Sequence, residues 1–273
     1  MFRQDLPPSN LRLALGQLEL IYHVAVRDVR KTHRNAIVGL LLNMFQTILM
    51  IAVFYVLIVV LKLRSSAIRG DFILYIMSGV FMYMTHTKTM KAVVGADGPT
   101  SQMMKHAPMN SIVAVGAAAL SALYIQVLSM AFVLTLYYCA MTPFTVYEPV
   151  QSMAMLLLAW FSGLSIGMLF RAFMPWQPEL IGLLALVYGR ANMIASGKMF
   201  VANTLTPTLL SYFDWNPLFH IIDQARGFIF INYNPHNSTI SYPIYVCIAC
   251  LMVGLMGEFY TRQRASISWG AKL

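Results

Sequence analysis

The residues best equipped for chemistry crowd into one stretch, DWNPLFHIIDQARGFIF at 214–230. On a helix, His220, Asp223 and Arg226 recur every three residues and fall toward one side. An imidazole, a carboxylate and a guanidinium among apolar residues could bind a metal, or could anchor a helix. A zinc site needs about four ligands, and His220 and Asp223 have no further ligands beside them in sequence. A capping and ion-pairing role therefore fits these residues better than a metal centre. Two short helices are predicted here. Thr206 then Pro207, and Asn216 then Pro217 after Trp215, each supply a capping residue followed by proline at the first helical position. Neither segment is long enough to cross a bilayer, and both are too apolar for a free loop.

Other sites carry less. GRANMIASGKMF at 189–200 ends in Gly-Lys, but a phosphate loop needs Gly-x4-Gly-Lys-Ser/Thr. Asn192 stands where the first glycine belongs and Met199 where the hydroxyl belongs. Cys247 and Cys250 have CxxC spacing without a second ligand pair, and Cys139 is isolated, so all three read as packing residues. Glu148, Glu179 and Glu258 lie near the ends of apolar runs. That leaves neither the intramembrane carboxylates of ion-coupled transport nor the carboxylate pair of glycoside chemistry. Arg190 and Lys198 do sit within an apolar run, eight residues apart and so on roughly one helical side. A cation at the bilayer centre costs about 2.5–3.5 kcal/mol. The pair reads either as a cationic stripe along a conduit for an anionic substrate, or as ion-pair partners of Glu179 or Asp214, with Lys198 free to snorkel.

The elements that must position these residues follow from composition. Hydrophobic residues make up 59% of the 273-residue chain and charged residues 11%, against about 45–50% and 25% in soluble domains. This is the signature of an all-α integral membrane protein. Spans of about 20 apolar residues are predicted at about 36–61, 72–94, 111–140, 150–173, 179–202 and 243–261, six in all. THTKTMK at 85–91 makes the end of the second one polar. The opening MFRQDLPPSN lacks the apolar core of a cleaved signal peptide, so the first run is expected to stay as a span. Gly163 and Gly167 form GxxxG, and Ala114, Ala118 and Ala122 form a small face; both favour close helix approach in lipid.

Before the first span, Leu11, Leu15, Leu18, Tyr22, Ala25 and Val29 form an apolar stripe. Arg27, Arg30, Lys31 and Arg34 follow as a basic cluster. The segment fits an interface helix against anionic headgroups or a partner protein. The net charge is +9. The basic residues flank apolar runs, which argues against nucleic acid. Lys88, Lys91, Lys105, Arg262, Arg264 and Lys272 fall on the side of the N-terminal cluster, whereas Lys62, Arg64 and Arg69 oppose it. The majority places both termini in the cytoplasm.

LIYHVAVRDVRKTHRNAIVGLLLNMFQTILMI, DFILYIMSGVFMYM, PMNSIVAVGAAALSALYI, WNPLFHIIDQARGFIF and YTRQRASISWG, in that order, resemble the permease subunit of bacterial ABC exporters for surface polysaccharides, of the capsule-export type. The resemblance covers nearly the whole chain. It implies a homodimer in the bacterial inner membrane and two copies of a separate ATPase subunit that uses ATP and Mg. It implies no cofactor on this chain, a polysaccharide substrate carried on lipid, and room for periplasmic or outer-membrane export proteins. ATPase contacts are expected from the N-terminal helix (Arg27, Arg30) and the loop at 95–110 (Asp97, Pro99, Gln102, Lys105). The two short helices, re-entrant or extracytoplasmic, would flank the exit. Tyr75, Phe81, Tyr83, Trp160 and Phe161 would join Arg190 and Lys198 along the path. The chain departs from the family pattern at Val201, at Lys198 and in its 20 methionines. An ABC permease for a small hydrophobic drug or lipid is the alternative. A membrane enzyme acting on lipid-linked sugar would need a nucleophile or metal cluster that the sequence does not offer.

Overall fold

The structure is a computed structural model that describes residues 10–31, 36–60, 70–96, 111–141 and 143–270. Regular structure among them is helical: α1 (Asn10–Lys31), α2 (Ala36–Val60), α3 (Phe72–Val94), α4 (Ser111–Ala140), α5 (Pro149–Phe173), α6 (Pro178–Ala195), α7 (Pro207–Phe213), α8 (Pro217–Ile229) and α9 (Ser241–Gly270). Helices occupy all six places where spans are predicted. Four of them, α2, α4, α5 and α9, are long and apolar enough to cross a membrane.

The polar end of α3 has a structural reason. Of its 23 residues 17 are buried, so α3 is the hub of the bundle, with α2, α4, α5, α6 and α8 packed around it. Several of its polar groups face protein and find partners there. His86 Nδ1 donates to Ser162 Oγ (2.7 Å), because that hydroxyl already donates to Ala159 O (2.8 Å). Tyr188 OH then donates to His86 Nε2 (3.2 Å). Thr87 bonds back to Tyr83 O (2.8 Å). At the start of α3, Asp71 accepts Ile73 N (2.9 Å) and also the Tyr137 hydroxyl, which ties the helix to the end of α4.

Small residues allow this enclosure. A side chain at Gly163 would collide with the backbone carbonyl of His86, so α5 lies directly on α3 through the GxxxG face. Farther along α5, Arg171 donates to Ala96 O (2.6 Å) and lies 3.7 Å from Glu258 of α9. The Ala114, Ala118 and Ala122 face of α4 is likewise buried.

α1 presents two apolar sides. Val24 and Ala25 are buried against Val113 and Ala117 of α4, with Leu20 and Ile21 beside them. The predicted stripe divides. Ala25 is buried and Val29 half-buried, whereas Leu15, Leu18 and Tyr22 are exposed, available to an interface or a partner. Leu11 has its side chain outside the described residues, as has Arg30, and Asp97, Pro99, Gln102 and Lys105 also lie outside them.

Two boundaries differ from the sequence expectation: α9 continues to Gly270, past the predicted end at 261, and the end of α6 moves inward. α6 stops at Ala195, not near residue 202. Gly197 takes a positive φ of 74°, the left-handed turn that commonly ends helices. A Cβ there would also strike the Phe219 ring at 2.7 Å.

Candidate functional site

The side chains of the 214–230 stretch do not converge. α8 begins as expected: Asn216 Oδ1 accepts Leu218 N (3.1 Å), and Pro217 occupies the first turn. Three-residue steps advance 300° around a helix, so each residue drifts about 60° from the last. Over two steps His220, Asp223 and Arg226 fan out to three different segments. This corrects the expectation of one shared polar side.

Each of the three is buried and has its own partners. His220 Nε2 donates to Asp214 O (2.7 Å), and its Nδ1 accepts Thr239 N (3.2 Å). The two bonds fix the tautomer and join α8 to both flanking loops. Asp223 accepts the Tyr233 hydroxyl and Ser238 Oγ (2.7 Å). Burial, helped by the Asp223 charge, pushes the Tyr233 phenol up, which keeps it a donor. Arg226 donates to Gly197 O (2.9 Å), Phe200 O (2.7 Å) and Lys198 O (2.8 Å), and its guanidinium lies 4.2 Å from the Tyr75 ring centre. Charged hydrogen bonds of this kind contribute about 1.5–3 kcal/mol each. Asn216 adds bonds to Asn192 Oδ1 (2.8 Å) and Ala195 O (3.0 Å). α8 is thus a clamp that closes the turn after α6. The loop before α5 joins it through Glu148 N to Phe228 O (2.8 Å).

Lys198 lies inside this clamp. Its ammonium has no hydrogen-bond partner among the described residues and rests between the rings of Tyr83 (3.4 Å to the centre) and Phe54 (4.3 Å). A desolvated cation–π contact contributes about 2 kcal/mol. Lys198 therefore does not form a helical stripe with Arg190, because α6 has ended and the turn carries Lys198 inward. Tyr75, Phe81 and Tyr83 are buried in the core of the chain. Trp160 is half-buried, its indole donating to Ala119 O (2.8 Å), and Phe161 is half-buried beside it in sequence. Trp215 is exposed.

Arg190 stands apart. Only Ala185, Gly189 and Asn192 of α6 are buried. Arg190 is exposed on the other side, on a helix whose exposed residues include Leu183, Leu186, Val187 and Ile194. It makes no hydrogen bond or ion pair among the described residues; neither Glu179 nor Asp214 pairs with it there. Among the described residues no group of three or more His, Cys, Asp or Glu could hold a metal ion.

Sequence reasoning missed several partners. Phe54 had no polar mark to single it out. Asn192, read only as a failed glycine of a phosphate loop, is the bonding partner of Asn216. Arg171 and Glu258 carried a usable signal, as opposite charges near the ends of two apolar runs. Comparison with protein-family models gives no match, and comparison with curated protein sequences gives none either.

Proposed function

We propose that the chain is the membrane-spanning permease subunit of an ATP-driven exporter that moves a lipid-linked surface polysaccharide across the bacterial inner membrane. In this reading α2, α3, α4, α5, α6 and α9 are the six spans, and both termini are cytoplasmic. A homodimer works with two copies of a separate ATPase. The observation that carries the reading is Arg190, a cation with no hydrogen bond or ion pair among the described residues, on the exposed apolar face of α6. In hydrocarbon that placement is costly. It becomes favourable where α6 faces a polar conduit between two copies of the chain.

Four further features support the reading. The four apolar helices supply the membrane crossing. α3, the least lipid-like of the six, is enclosed by protein, where His86, Thr87 and Ser78 are hydrogen-bonded. α8 packs against the turn that ends α6, held there by buried hydrogen bonds, as a fixed rim at the exit requires, and α7 before it lays Phe213 against Phe200 and Phe219. α1, with Leu15, Leu18 and Tyr22 exposed, has a free apolar side for the membrane surface or the ATPase.

The test is reconstitution. The chain alone in liposomes should hydrolyse no ATP, and with the ATPase subunit it should move polymer outward only when ATP is present. Polymer movement without any ATPase would overturn the proposal. Arg190→Gln should slow export of an anionic polymer at normal protein level.

A further inference from the structure

A second cationic centre lies away from the α8 clamp, where α2, α3 and α4 meet. A cavity of about 410 Å³ opens there. Lys88 of α3 is half-buried in its wall and donates to Asn43 Oδ1 and to Gln46 Oε1 (2.6 Å), both on α2. Gln126 of α4 donates to the same Asn43 oxygen (3.2 Å), while Asn43 Nδ2 donates to Ser129 Oγ (2.6 Å). These bonds orient the lysine with neutral amides. No carboxylate pairs with it among the described residues, so the positive charge is held in place but not neutralised.

Donors are left over. An ammonium has three N–H groups and Lys88 uses two. Among the described residues the Gln46 amide donates neither N–H group and Gln126 keeps one undonated. All three side chains line the cavity. A held cation with spare N–H donors and no acid fits a phosphate oxygen. The rim is of the opposite character. Ile37, Leu42 and Tyr124 line the same cavity and are exposed. A soluble anion would find no use for that apolar rim, whereas a molecule with a phosphate at one end and hydrocarbon at the other would use both.

We propose that this cavity binds the phosphate-bearing headgroup of an anionic membrane lipid, with the lipid's hydrocarbon leaving past the α2 and α4 rim. The site rests on the membrane-spanning part of the proposed function and is independent of the cargo. Its test needs neither ATPase nor polymer, so failure of export and failure of lipid binding are distinguishable.

The experiment uses the full purified chain in detergent, titrated with short-chain phosphatidylglycerol, phosphatidylcholine or inorganic phosphate. Native mass spectrometry counts the bound lipid. One phosphatidylglycerol should bind saturably, at least ten times tighter than phosphatidylcholine, and inorganic phosphate should not displace it at equal concentration. Lys88→Gln should weaken it about tenfold, with Arg190→Gln, on α6 and outside the cavity lining, unchanged as the control. Gln46→Ala changes an exposed side chain, leaves the fold intact and should weaken binding about threefold. If Lys88→Gln fails to fold, this second variant decides. Unchanged binding in Lys88→Gln or in Gln46→Ala overturns the site. Equal affinity for phosphatidylcholine, or displacement by inorganic phosphate, overturns the lipid assignment.

Discussion

Two arginines in this chain have opposite surroundings. Arg226 on α8 is 1% exposed, donates to three backbone carbonyls and lies against a tyrosine ring. Arg190 on α6 is exposed and has no hydrogen-bond or ion-pair partner among the described residues. The first is fully used by the fold. The second contributes nothing visible to the stability of one copy of the chain, yet it occupies an apolar face where a cation is costly. The contrast separates a residue that shapes the molecule from one whose reason must lie outside a single chain.

Substitutions sharpen this contrast. The largest expected effect is at Arg226. Arg226→Ala removes three charged hydrogen bonds and leaves the 197–200 turn with unmatched carbonyls, a loss of about 3–5 kcal/mol. Thermal unfolding in detergent should show a large drop, and Arg226→Lys should recover little of it, since one ammonium cannot reproduce the planar fork. A near-wild-type melting temperature for Arg226→Ala would remove the clamp from the account. Gly163→Ala is expected to cost about 1–3 kcal/mol by forcing α5 away from the His86 backbone. The same melt, followed together with tryptophan fluorescence from Trp160, reads that change.

Lys198→Met should cost under about 1 kcal/mol, because the lost ring contacts, about 2 kcal/mol, are offset by no longer burying a cation that has no hydrogen bond among the described residues. The ammonium makes no hydrogen bond, Arg226 bonds only the Lys198 backbone, and methionine can fill the space between Phe54 and Tyr83. A loss as large as that of Arg226→Ala would mean that the two cations act as one unit. At the small end stands Arg190→Gln, expected within about 0.5 kcal/mol of wild type, as for surface changes that break no contact.

Helix placement was legible because hydropathy reports how long an apolar run is. The cap of α8 was legible because Asn216 and Pro217 encode it locally. The end of α6 was misread. Met199, Phe200 and Val201 continue the apolar run past Lys198, and only the left-handed Gly197 and the Arg226 clamp show that the helix has stopped. The polar half of α3 looked like a weak span, because one sequence does not reveal that Ser162 and Tyr188 wait for His86. The three-residue spacing of His220, Asp223 and Arg226 looked like a shared site, but their partners at 214, 233 and 197–200 belong to separate segments. Periodicity gives the face of a helix and not what lies opposite it.

The most direct measurement compares stability and transport in the same protein. Arg190→Gln and wild type are reconstituted with the ATPase subunit, and melting temperature and ATP-driven export of an anionic polymer are recorded for both. The account predicts matching melting temperatures and export reduced at least tenfold, with Arg190→Lys retaining most of it. Export at the wild-type rate in Arg190→Gln would contradict it and leave the exposed arginine of α6 without a role in transport.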